Sequence, residues 1–233
     1  MLIYSPPKTL DSVPVIDLMG GVDTAASDKA RIAAEIGDAC RNIGFFYIEN
    51  HGIADSLIDG QFEWMKRFFA LPMDEKMSIH MRKSPTTAGY EPVHEQQLDS
   101  QDPDAEKSPP DLKESYYCGM EVAADHAFAK RYVRGIGHNQ WPDSLPGFRE
   151  QMLAYHGELR RLGDHLLTLV ALSLDLEETW FARFHDWPGS VLRLLRYPPQ
   201  PEDAEFNQIG AGAHTDWGGI TLLAQDDAGG LEV

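Results

Sequence analysis

Residues 210–233 read GAGAHTDWGGITLLAQDDAGGLEV, and how this stretch is parsed decides the fold. Gly210 to Asp216 and Ile220 to Gln225 suit extended backbone. Asp226-Asp227-Ala228-Gly229-Gly230 carries the residues of a hairpin turn, and Leu231-Glu232-Val233 opens a further strand. On this reading the C-terminal part of the chain is β. Successive side chains of a strand leave opposite faces, so His214 and Asp216 share one face and Thr215 takes the other. A histidine nitrogen and a carboxylate oxygen on one face can converge on a single cation. They are two of the three donors of the facial triad that holds iron(II) with coordination positions left open. An isolated His-x-Asp pair is more often a surface hydrogen bond, so the surrounding sequence has to carry the reading.

Upstream, Val191 to Tyr197 is a β-branched and leucine-rich run that must end at Pro198-Pro199. Before it, Phe148, Met152, Tyr155, Leu159, Leu162, Leu166 and Leu169 recur at alternating steps of four and three, which predicts a long helix over 147–174. A shorter helix is expected from about Glu177 to Phe184. Nearer the N-terminus, Val13 to Leu18 reads as an opening strand. Ile32, Ile36, Ala39, Cys40 and Ile43 then mark a helix that Ser27 or Thr24 can cap and Gly44 can close. Phe45 to Asn50 reads as a buried strand. Leu57, Ile58, Phe62, Met65 and Phe69 form a second helix, broken at Leu71-Pro72 before another turn at Met73 to Lys76. Residues 99–111, DSQDPDAEKSPPD, hold three prolines and no large apolar side chain, and are expected as a surface loop.

The chain has 233 residues, 42% of them hydrophobic, enough for a substantial core. Thirty-seven acidic residues against twenty basic ones leave a formal charge of −17, so the molecule repels phosphate backbones and anionic lipid, and neither nucleic acid nor a membrane is expected as a partner. Cys40 and Cys118 supply no disulfide framework and no C-x-x-C pattern. The first residues lack a basic stretch followed by an apolar one, and no run of eighteen apolar residues occurs. A soluble, cytoplasmic protein is the expectation.

VPVIDL at 13–18, CRNIGFFYIENHGI at 40–53, LPMDEK at 71–76, GYEP at 89–92, DLKESYYCG at 111–119, LRLLRYPPQP at 192–201 and the 210–233 stretch follow one another in an order that resembles the 2-oxoglutarate and iron(II)-dependent oxygenases, in their isopenicillin N synthase-like branch. The resemblance covers essentially the whole chain. Leu195-Arg196-Tyr197-Pro198, where many plant relatives have Asn-Tyr-Tyr-Pro, points to the bacterial type.

The fold this resemblance implies is α+β, a double-stranded β-helix or jelly roll with N-terminal strands and a long helix packed on it. It divides the chain into an N-terminal region at 12–125, a connecting helix at 146–174 and the start of the jelly-roll domain at 187–233. The activity it implies is oxidation of a small molecule, by hydroxylation, desaturation or ring closure, with iron(II), 2-oxoglutarate and O2, releasing succinate and carbon dioxide. An ethylene-forming or isopenicillin N synthase-type oxidase, and an inactive binding module, stay open as alternatives.

Carried over by position, the family pattern makes His214 and Asp216 iron ligands and Tyr197 a hydrogen-bond donor to the cosubstrate carboxylate. A second histidine ligand and an Arg-x-Ser pair for the far carboxylate are expected beyond Val233. The chain is therefore read as C-terminally truncated, its jelly roll incomplete, and is expected to bind iron(II) and 2-oxoglutarate poorly by itself. Tyr90, Glu91, Tyr116 and Tyr117 fall where relatives often place substrate-facing loops, or else pack in the core. Arg193 and Arg196 can pair with acidic neighbours or with a substrate carboxylate. His51, His156 and His165 have the ordinary packing roles of histidines.

Overall fold

Ile32, Ile36 and Ala39 lie on one face of helix α1 (Ala26–Asn42), and all three are buried. Its N-cap is Ala25 and no side chain caps it, so Ser27 falls inside the first turn instead of before it. The C-terminal end follows the sequence. Gly44 adopts φ +86°, a left-handed conformation costly for residues with a Cβ, and the N–H groups of Ile43 and Gly44 both donate to the Ala39 carbonyl at 2.9 and 3.0 Å.

This computed structural model describes residues 13–19, 25–96, 109–123, 125–128, 130, 134–184, 189–202, 204, 208–216 and 218–232. The chain divides into two compact units, residues 1–58, 157–188 and 222–233 in one, and 59–156 and 189–221 in the other.

In the first unit, β1 (Val15–Asp17) and β2 (Tyr47–Glu49) form a two-stranded parallel sheet, with Val15 opposite Tyr47 and Ile16 opposite Ile48. Ile16 and Leu18 join Ile32, Ile36, Ala39, Ile53, Leu162, Leu166 and Leu169 in one apolar core. Each leucine or isoleucine side chain among them, fully removed from water, contributes on the order of 1.5–3 kcal/mol. β2 departs from the buried strand expected over 45–50. It is three residues long, and Phe45 and Tyr47 are 53% and 55% exposed. A two-stranded sheet with one covered face sends alternate residues to water, so Ile48 packs on the core while Tyr47 does not.

In the second unit, the antiparallel sheet β3 (Gly89–Glu91), β4 (Glu114–Gly119), β5 (Val191–Arg196) has β4 at its centre, with all six β4 residues buried. The register pairs Tyr90 with Tyr116 and Glu114 with Arg196. On one side lies an aromatic cluster. Phe68 of α2 (Asp55–Phe69) stacks on Phe148 of α4 (Phe148–Ser173), centroids 5.0 Å apart, and Tyr116 meets Phe148 edge-on at 5.3 Å. The long helix is thus present as its periodicity predicts. Its residues up to His156 belong to this unit and those from Gly157 to the other. A short helix α3 (Met73–Ser78) follows the Leu71-Pro72 break.

Three further expectations are corrected. The helix sought at 177–184 is reduced to a 3-10 turn, Ala182–Phe184. Of the loop at 99–111, residues 99–108 lie outside the described residues, and Asp111 at its end is buried, not at the surface. No strand forms among the described residues of 208–232, although the sequence reads as three. A strand exists only as a ladder with a neighbour. Among the described residues, this stretch makes one main-chain bond to the segment that leads into β4, from the Leu112 N–H to the Ile209 carbonyl at 2.9 Å, and Ile220, Leu223 and Leu231 are exposed.

Candidate functional site

The two faces of the β3–β4–β5 sheet differ in chemistry. One carries Tyr90, Glu114, Tyr116, Leu192, Leu194 and Arg196, and the other carries Glu91, Ser115, Tyr117 and Arg193.

On the polar face, the Arg193 guanidinium contacts Ser115 Oγ at 2.9 Å, Glu91 Oε2 at 3.3 Å and the Gln96 side-chain oxygen, and lies 4.8 Å from the centre of the Tyr117 ring. The Tyr117 hydroxyl donates to Glu91 Oε2 at 2.8 Å. Next to β4, Lys113 and Asp111 form a buried ion pair of 2.6 Å, 3% and 5% exposed. Sequence reasoning missed this pair. The signal available was the i, i+2 spacing of opposite charges directly ahead of a strand.

Tyr197 follows β5 by one residue, is half exposed, and packs against Gly210 so closely that a Cβ there would meet its Cδ1 at 2.6 Å. Burial raises the phenol's pKa above its ordinary value, the Arg193 charge works against that, and Asp111 adds to it. The hydroxyl therefore stays protonated at neutral pH, as a hydrogen-bond donor must.

His214 and Asp216 are brought together without a strand. His214 Nε2 lies 3.4 Å from Asp216 Oδ1, and both side chains are about half exposed, 45% and 56%. His214 Nδ1 is 2.8 Å from the Gly212 carbonyl, which can only accept, so Nδ1 carries a proton and Nε2 is the ring nitrogen turned toward the carboxylate. In the neutral ring with Nδ1 protonated, the Nε2 lone pair and the carboxylate would lie on the same side and could hold one cation. Metal-bound histidines characteristically donate their other N–H to such an oxygen, and two donors on one ion with bonds of ~2.1 Å stand roughly 3 Å apart. The pair fits a divalent metal. Among the described residues, no group of three or more His, Cys, Asp or Glu side chains gathers into a metal site.

Tyr90 and Tyr116 lie on strands, not in loops, and both are fully buried. The Tyr90 hydroxyl donates to Glu114 Oε2 at 2.6 Å and the Tyr116 hydroxyl to the Gln140 carbonyl at 2.7 Å. Glu114 also receives Lys76 Nζ at 2.9 Å and Arg196 at 2.6 Å. Burial would raise the Glu114 pKa, but the bonds from Tyr90, Lys76 and Arg196 outweigh it and lower it below the ordinary carboxyl value. The histidines do packing work: His51 Nδ1 accepts from the Ile53 N–H at 3.2 Å, His156 Nε2 meets Ser190 Oγ at 3.0 Å, and burial lowers the pKa of His165.

Comparison with known proteins gives two family matches: "non-haem dioxygenase in morphine synthesis N-terminal" over residues 13–144, and "2OG-Fe(II) oxygenase superfamily" over 188–233. The 2-oxoglutarate-Fe(II) type oxidoreductase hxnY of Emericella nidulans is 37% identical over 228 residues, 94% of this chain and 62% of its own length. Among solved structures, a full-length Neurospora crassa protein in complex with alpha-KG superposes with a TM-score of 0.71 at 28% identity, over 88% of this chain and 61% of that one. A putative 2OG-Fe(II) oxygenase family protein from Caulobacter crescentus gives 0.66 at 28% identity, over 83% and 58%. The chain thus spans somewhat under two thirds of the length of these relatives.

Proposed function

The chain belongs to the 2-oxoglutarate and iron(II)-dependent oxygenase superfamily, and from that premise we propose that it serves an oxidoreductase acting on a small molecule, with His214 and Asp216 as iron ligands and Tyr197 as a donor to the 2-oxoglutarate carboxylate. Its α+β fold class is that of the solved jelly-roll oxygenases it superposes on. One observation carries the site assignment: His214 Nε2, on the ring edge away from the Nδ1 held by the Gly212 carbonyl, lies 3.4 Å from the Asp216 carboxylate.

In this reading His214 and Asp216 give iron(II) one neutral and one anionic donor. The Gly212 carbonyl keeps the imidazole in the metal-binding tautomer. Tyr197, held protonated, donates to a carboxylate of the cosubstrate. When bound, iron(II) with 2-oxoglutarate would activate O2 for oxidation of a substrate, with succinate and carbon dioxide as coproducts. Lys113 and Asp111 neutralise one another behind Tyr197, and Arg193 is neutralised by Glu91, so the polar sheet face carries no net charge from these four groups.

The isopenicillin N synthase-like placement rests on the ordered motifs that end in the 210–233 stretch, and the bacterial type on Leu195-Arg196-Tyr197-Pro198. For the division at 12–125, 146–174 and 187–233, the family matches over 13–144 and 188–233 support an N-terminal and a C-terminal segment, and helix α4 supports the connecting one. A cytoplasmic setting is supported by the two unpaired cysteines. Among the described residues, no helix is long and apolar enough to cross a membrane.

Anaerobic titration of the chain with iron(II), with and without 2-oxoglutarate, tests the assignment. His214→Ala and Asp216→Asn are each expected to weaken iron binding by about tenfold or more. Tyr197→Phe should leave iron binding unchanged and weaken 2-oxoglutarate alone. Measurable iron binding by the wild type that neither ligand variant weakens would sink the proposal.

A further inference from the structure

We propose that Glu114 is a positioning residue for Tyr197, acting through Arg196. Alternation along β5 puts Leu192, Leu194 and Arg196 on the face of the aromatic cluster, and Arg193, Leu195 and, one residue past the strand, Tyr197 on the polar face. Glu114 sits directly opposite Arg196 in the register, 2% exposed, and its Oε1 accepts from the guanidinium at 2.6 Å. The other oxygen is held by Lys76 and the Tyr90 hydroxyl, so the carboxylate cannot swing away.

The clamp matters because of the two prolines after Tyr197. Pro198 and Pro199 have no N–H, so no ladder bond can be donated from them and the sheet's own hold ends at Arg196. The side-chain clamp is the last constraint before Tyr197. With Arg196 pinned to one face, the next side chain must leave on the other, where Arg193 and Asp111 are its electrostatic neighbours. Gly210 then closes on the ring. A buried ion cluster adds little net stability over an apolar substitute, and fixing register is its best-attested role.

The functional weight of this inference rests on Tyr197 holding the cosubstrate, so the experiment separates position from function. The whole chain is labelled with fluorotyrosine, and the residue 197 resonance is identified by its loss in Tyr197→Phe. Arg196→Met is the main variant, because this half-exposed side chain can be removed while Lys76 and Tyr90 still hold Glu114 Oε2 and Lys76 still balances the buried charge. It is expected to shift and broaden the resonance, Glu114→Gln should do so more weakly, and Arg196→Lys should restore it. Arg196→Met should also weaken 2-oxoglutarate binding by about tenfold, with iron binding unchanged. An unshifted, sharp resonance in Arg196→Met overturns the positioning role. A shifted resonance together with wild-type 2-oxoglutarate binding by Tyr197→Phe upholds it and removes the cosubstrate assignment instead.

Discussion

Tyr90→Phe removes one oxygen from the interior and nothing else. The ring is fully buried, 6.2 Å from Phe68, and phenylalanine keeps that packing. The loss is a 2.6 Å hydrogen bond to the Glu114 carboxylate, which retains Lys76 and Arg196 and so is not left unsatisfied. A bond to a charged acceptor contributes about 1.5–3 kcal/mol, and the surviving partners place this one near the lower end, ~2 kcal/mol. In urea, a slope of about 2 kcal/mol per molar turns that into a midpoint lowered by roughly 1 M. Acidity supplies the second readout. The Glu114 pKa in the folded protein lies below its ordinary 4.5, so the stability it contributes is complete above that pH and is lost as pH falls through the folded value. Without the hydroxyl, the folded value rises toward the ordinary one. The gap between wild type and variant should therefore be widest at neutral pH and shrink in acid. Equal urea midpoints at neutral pH, or a gap indifferent to acid, would refute the reasoning.

Phe148→Ala, which empties the site stacked on Phe68, should cost about 3–5 kcal/mol by the same urea assay, whereas a surface change such as Lys66→Ala should cost under about 0.5. Gly210→Ala drives a methyl into Tyr197 and is expected to weaken 2-oxoglutarate binding while leaving the urea midpoint nearly unchanged. Cys118 is buried and burial pushes its thiol pKa far up, whereas Cys40 is exposed with a smaller rise from the same cause. A thiol reagent at neutral pH should label Cys40 alone, and both residues after unfolding.

The helices are legible in the sequence because each carries its own evidence: the four-and-three spacing of α4, and the Ile32, Ile36, Ala39 face of α1 closed by Gly44. Strands depend on partners elsewhere, and here the sequence misleads in both directions. Residues 210–233 read as strand yet form no ladder among the described residues. Glu91, Lys113 and Glu114 look like surface residues yet are buried, because each meets a partner distant in sequence or two residues away. His214 and Asp216 do converge, through local bends and the Gly212 carbonyl and not through the strand alternation that gives the reason to expect it. Tyr90 and Tyr116 stand where substrate-facing side chains are expected, and their hydroxyls are instead donated to Glu114 and Gln140. No property of an isolated tyrosine tells these two roles apart.

The Lys113–Asp111 pair also constrains how this chain can change. Both side chains are almost wholly out of water, so replacing either one strands an unpaired charge at a cost of about 3–5 kcal/mol, a large part of an ordinary domain's total stability. Exchanging both together for apolar residues of similar volume costs little or nothing. Every single-substitution route to that apolar pair passes through a poorly folded intermediate, so the two positions have to change together. A redesign of the surface beside Tyr197 has to alter them in one step or leave them alone.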